Sequence, residues 1–158
     1  MSEQDPFRVF VAHEFTDNAE YSRVFEYLEN RDKFFYLNQS QPDALEAGSS
    51  AAAMQDAVRQ QMENAEVLVV PAGMLHASPG LVDFQIKVAQ AFKIPMVLIQ
   101  PFGQTISISK EALEAAAEVV EWNDRAIVDA IRKTARGEDT AKWDVIEFDM
   151  DDFKPDDE

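Results

Sequence analysis

The chain has 158 residues and no cysteine, with 30 acidic against 14 basic side chains and a formal net charge of −16. This length suits one domain with a sizeable core, and 46% hydrophobic content argues against global disorder. The absence of cysteine excludes disulfides and thiolate metal sites, and the acidic surface repels nucleic-acid phosphates.

Residues 138–158 carry 10 acidic and 2 basic side chains, so half of the excess charge lies in this stretch. Residues 137–158 read as a solvated acidic extension beyond a domain spanning 7–136. Within it Trp143, Val145, Ile146 and Phe148 could pair as an extra strand or dock on the domain or a partner. The longest apolar runs, Val67–Val70 and Met96–Ile99, fall far short of the roughly 20 residues a membrane span needs. Residues 1–6 lack the charge and apolar stretch of a signal peptide, so a cytoplasmic protein with no membrane partner is expected.

Phe7–Val11 is short, β-branched and aromatic, as a buried strand requires. Asp17 then reads as a helix cap with Glu20 as its capping-box partner. Tyr21, Val24, Phe25 and Leu28 mark one helical face, ending near Asn30 or Arg31. Phe34–Leu37 reads as a second strand. Residues 38–50 form a long polar loop of the kind that carries function. A helix with Met54, Val58 and Met62 at four-residue spacing follows.

Val67–Val70 is an unbroken apolar run, the pattern of a strand buried on both faces. Pro71-Ala72-Gly73 ends it. Ser78-Pro79 opens a broadly apolar helix to about Phe92, with serine as cap and proline in the first turn. Strand four is Met96–Ile99, closed by Pro101-Phe102-Gly103. Ser109 caps a short helix over 110–118, Val119–Trp122 reads as strand five, and Asn123 opens a last helix that Gly137 stops.

Alternation of strand and helix at this spacing means a parallel sheet covered on both faces. A flavodoxin-like α/β fold follows, with five parallel strands in the order 2-1-3-4-5. Ligands in such folds gather at the carboxyl ends of the strands, beside strands one and three. That rule selects His13, Glu14 and Phe15, then Gly73, Met74 and His76, together with the loop 38–50. The chain has no receiver-type aspartate after strand three, no flavin phosphate loop, no P-loop and no nucleophile elbow.

Several segments in order resemble the TIR-like proteins, the group containing the NAD-consuming subunit of the Thoeris anti-phage system. Val9-Phe10-Val11-Ala12-His13-Glu14-Phe15 resembles the family's opening "VFISHSF", and Val67–Met74 its third strand and loop. Phe84-Gln85-Ile86 with Ala89-Gln90 is similar to its "YEI…A" helix. Lys93-Ile94-Pro95 leading to Gln100-Pro101-Phe102-Gly103 resembles "KPII…KPWG", and Val120–Asn123 with Ile127–Ile131 resembles its closing "VGWN…IVDAIR".

The resemblance, over about residues 7–135, implies a pocket for a nucleotide such as NAD, as substrate or ligand rather than cofactor. It also implies self-association, since TIR-type sites are often completed by a neighbouring subunit. The family's glutamate in "YEI" contacts the nicotinamide ribose, where bond cleavage leaves an oxocarbenium-like centre that an anion stabilises.

Here that position is Gln85, which keeps the hydrogen-bonding shape without charge. As a solvated helix residue it would need no such explanation. The reading requires its side chain to stand at the tips of strands one and three. Glu14 is the candidate replacement acid. His13 would orient a ribose or phosphate, or else hold its own turn. Phe15 would stack on a ligand ring, or else pack at the base of the loop. Gly73, Met74 and His76 complete the candidate binding set, and the two histidines show no metal-binding spacing. Two functions remain: an NAD glycohydrolase or cyclase in bacterial defence, and a non-catalytic binding or interaction module with a lapsed active site.

Overall fold

The computed structural model describes residues 5–16, 18–46, 49–77, 79–100 and 108–138. Five strands, β1 (Phe7–Val11), β2 (Tyr36–Asn38), β3 (Val67–Pro71), β4 (Met96–Gln100) and β5 (Glu118–Glu121), make one sheet. All are parallel, in the order β2-β1-β3-β4-β5. The helices between and after them are α1 (Ala19–Glu29), α2 (Ala51–Met62), α3 (Ala72–Ala77), α4 (Pro79–Ala91), α5 (Lys110–Ala115) and α6 (Asp124–Arg136). This is the expected flavodoxin-like α/β arrangement.

The period-2 alternation of the strands divides the core into two layers. Phe10, Leu68, Val70, Met96 and Leu98 face Val58, Met62, Val82, Ile86 and Ala89 of α2 and α4. Phe7, Val9, Val11, Val67, Val69, Val97 and Ile99 face Val24 and Leu28 of α1 and Ile127, Val128 and Ile131 of α6. Every residue of β3 is buried, as its all-apolar sequence requires of a central strand. No helix among the described residues is long and apolar enough to cross a membrane.

Several boundaries differ from the sequence reading, among them strand five, which is Glu118–Glu121 rather than Val119–Trp122. The cap of α1 is Asn18, whose side chain accepts from the backbone N–H groups of Glu20 and Tyr21 at 2.8 and 3.1 Å; Asp17 lies outside the described residues. The second strand is Tyr36–Asn38. Phe34 instead plugs the core against Phe7, and the Phe35 carbonyl accepts from Phe7 N–H. The strand after Glu66 runs through Pro71 and passes directly into α3, so Ala72-Gly73 is helical rather than a turn. Helix α5 ends at Ala115, because Glu118–Glu121 is drawn into edge pairing with β4. Ser78, Pro101-Phe102-Gly103 and Trp143–Phe148 lie outside the described residues.

At the far end of α6, Gly137 takes φ 68° and donates to the Lys133 carbonyl, while Glu138 N–H reaches Arg132 O. Only glycine adopts that left-handed closure at no steric cost.

Candidate functional site

Strand β1 lies between β2 and β3, so the chain leaves it at the point where strand order reverses. The segment Ala12–Thr16 emerges there. Its course is set by a residue 72 positions away, Gln85 on α4. Val82, Ile86 and Ala89 bury one stripe of α4, and position 85 falls within the same stripe. The Gln85 side chain is fully buried, not solvated.

Both polar atoms of Gln85 are used. Its Nε2 donates to the His13 carbonyl at 2.7 Å, and its Oε1 accepts from the His13 backbone N–H at 3.2 Å. The amide thus grips one residue's main chain from both sides at the tip of β1. A glutamine can do this because it carries a donor and an acceptor; an ionised glutamate has only acceptors.

His13 is itself fully buried and passes the connection onward. The Phe15 backbone N–H donates to its Nδ1 at 3.3 Å, which leaves the ring proton on Nε2 to donate to Gln61 Oε1 at 2.9 Å. The imidazole packs edge-on against Phe15, with centroids 4.5 Å apart, and against Phe10 and Tyr21. Burial lowers its pKa to about 4 against the smaller opposing effect of the Gln61 bond, so the ring is neutral at physiological pH. Phe15 is buried with φ 61°, a left-handed conformation that costs a bulky side chain energy. The bond from its own N–H to the His13 ring helps to hold it there.

Gln61 of α2 repeats the device. Its Oε1 also accepts from Gln41 N–H at 2.8 Å, and its Nε2 donates to the Gln41 carbonyl at 3.1 Å. The start of the 38–50 loop is further tied by Ser40, which is buried and bonded to Tyr21 Oη at 3.0 Å and to the Asn38 side chain. Asn38 Nδ2 in turn donates to Tyr21 Oη at 3.0 Å. A relay of uncharged groups thus joins α4, the β1 tip, α2 and the β2 tip.

The remaining candidate residues fall into different environments. Glu14 is partly buried and accepts from Asn18 Nδ2 at 3.0 Å. Met74 is fully buried among the core side chains. His76 is exposed and lines an open cavity of about 720 Å³ with Pro79, Asp83, Lys87 and Ser109. Gly73 lies under the carboxylate of Glu20 from the first turn of α1: a β-carbon at 73 would stand 2.5 Å from both oxygens. Partial burial raises the Glu20 pKa, against the weaker pull of the Arg23 charge. Among the described residues no group of three or more histidines and carboxylates could hold a metal ion.

Sequence reading missed Gln61, Gln41, Ser40, Asn38 and Tyr21 as parts of one network, and took Glu20 only for a capping group. The switch-point rule would have reached Glu20 and Tyr21 had it included the first turn of the helix leaving β1. Nothing in local sequence marks Gln61.

Residues 10–106, more than half of the chain, match the family described as "Thoeris protein ThsB, TIR-like domain". None of the curated proteins matches the sequence.

Proposed function

The chain belongs to the TIR-like domain family of Thoeris protein ThsB, and from that premise we propose that it is a nucleotide-binding signalling module of anti-phage defence. Its ligand is a nucleotide of the NAD class, taken at the carboxyl ends of β1 and β3. It does not cleave that ligand by the family's glutamate route. One observation carries this reading: both polar atoms of Gln85 are spent on the main chain of His13 inside the protein. The position therefore offers an oxocarbenium-like centre no negative charge, and its buried amide is turned to the His13 main chain. Loss of such a group costs on the order of 100- to 1000-fold in rate.

The enzyme reading keeps one support of its own. Glu14 follows His13 directly on the β1 loop and is only partly buried, so a carboxylate stands at the same end of the sheet. In that reading Glu14 supplies the anion for glycosidic cleavage. Self-association in the cytoplasm belongs to either reading, and sedimentation of the purified chain at rising concentration tests it.

Concentrated protein incubated with NAD decides between the two functions. The binding module releases no nicotinamide yet gives a saturable NAD or ADP-ribose titration. Nicotinamide release abolished by Glu14→Gln would establish the enzyme instead. Absence of both turnover and binding would overturn the nucleotide reading altogether.

A further inference from the structure

Each polar group of the relay at the β1 tip has a partner within the protein, with one neighbour as the exception. Among the described residues the Glu20 carboxylate accepts no hydrogen bond and forms no ion pair, although it is partly buried. Its backbone N–H is capped by Asn18, so the side chain is not needed to close the helix. It does not fold back on the helix start in a capping box. Instead it spans the α-carbon of Gly73, at the first turn after β3, where any larger residue would collide with it. Partly withdrawing a carboxylate from water with no hydrogen bond and only the Arg23 charge to offset it opposes folding, and such a group at a switch point is a candidate for ligand contact.

We infer that Glu20, held over Gly73, is the ligand-contacting carboxylate of this site and accepts hydrogen bonds from the vicinal hydroxyls of a ribose. An ionised carboxylate has two acceptor oxygens and no donor, which suits a diol and disfavours a phosphate. Gly73 is a positioning residue: its bare α-carbon leaves room for the carboxylate. The inference rests on the nucleotide reading above and specifies which residue touches the sugar.

The full chain titrated with NAD tests it. Glu20→Gln should weaken affinity by on the order of tenfold, as loss of charge-assisted hydrogen bonds does. Gly73→Ala keeps a helical backbone of ordinary φ, displaces the flexible Glu20 tip and should weaken NAD binding similarly. Solvent-exposed Glu26→Gln on the same helix should leave binding unchanged. In the free protein Glu20→Gln should hold or raise Tm.

Undiminished NAD binding by Glu20→Gln overturns this assignment and leaves the nucleotide reading standing. A lowered Tm with unchanged affinity identifies a helix-dipole role and overturns it as well. A wild-type protein that binds neither NAD nor ADP-ribose overturns both readings.

Discussion

The two ends of the sheet are held together by opposite means. At the amino ends of the strands, Arg136 of α6 forms a two-pronged pair with Glu66, through Nε at 2.8 Å and Nη2 at 2.9 Å. Its guanidinium also reaches Asp5 and the Pro6 carbonyl, and lies 4.0 Å from the Phe7 ring centroid. Arg8 adds a second cation to Glu66 at 3.3 Å. At the carboxyl ends the corresponding links are neutral: Gln85 to His13, His13 to Gln61, Gln61 to Gln41. Charge is tolerated below because water reaches part of the network. Above, His13 and Gln85 are sealed, and amides that both donate and accept satisfy the backbone without ionisation. The neutral end leaves the adjacent Glu20 carboxylate with no hydrogen bond or ion pair among the described residues, whereas the charged end binds Glu66 and Asp5 to arginines.

The largest expected break in this contrast is to import charge to the neutral end. Gln85→Glu keeps the bond from His13 N–H but sets a carboxylate oxygen against the His13 carbonyl, now 2.7 Å from a donor. We expect a loss of about 3 to 5 kcal/mol in urea denaturation at pH 7, the scale of an uncompensated buried charge. The loss should shrink in acid, where the protonated side chain can donate again. A restored glutamate is therefore expected to unsettle the β1 loop before it can confer activity.

Acid alone should open the same end next. The folded His13 has a pKa near 4 against an ordinary 6.5, so between those values the unfolded chain binds more protons and stability falls as pH falls. Below pH 4 the accumulated loss from this group is about 3 kcal/mol. His13→Phe should remove that part of the pH dependence, measured as Tm against pH from 7 to 4.

Much of the scaffold was legible because burial writes itself into sequence. Val67–Val70 and Met96–Ile99 are apolar on both faces, and the structure buries them on both. The errors arose where two neighbours offered the same chemistry. Asp17 and Asn18 are both good caps, and only the backbone turn selects Asn18. Phe34-Phe35-Tyr36-Leu37 is apolar throughout, so nothing local shows that pairing begins at Tyr36 while Phe34 fills the core. The position of the candidate site followed from strand order, but its wiring did not. Gln85 and His13 are 72 residues apart, His13 and Gln61 48. A glutamine gives no periodic signal of whether it faces a ligand or a peptide group.

Breaking the charged end should cost less. Glu66→Gln retains shape and removes the charge from the Arg136 pair; a loss of about 2 kcal/mol is expected, within the range for hydrogen bonds to charged groups. The hydrogen bond from Arg136 is the main reason the Glu66 pKa is lowered, ahead of the opposing effect of its burial. A depressed carboxylate pKa stabilises the fold above the ordinary carboxylate range and stops doing so as pH falls through the folded value. The charged end should therefore yield at lower pH than the His13 end, and salt should weaken it more. Amide exchange followed down a pH series should show His13 and Phe15 losing protection before Phe7 and Arg8. Loss of protection in the reverse order would mean that the neutral relay is not the acid-sensitive end.

The smallest effect sharpens the contrast most, because it separates local order from global stability. Gln61→Leu keeps bulk on α2 but removes the clamp on Gln41 and the acceptor for His13 Nε2. Gln41 is exposed, so water can replace its lost partners, and the cost is concentrated on the one imidazole N–H left unsatisfied. We expect about 1 kcal/mol overall. We also expect a large rise in amide exchange at Gln41, where the loop 38–50 begins. Retained protection at Gln41 would show that Asn38, Ser40 and Tyr21 hold the start of the loop without help from α2. The relay would then end at the His13 ring, and the carboxyl end of β2 would move independently of β1.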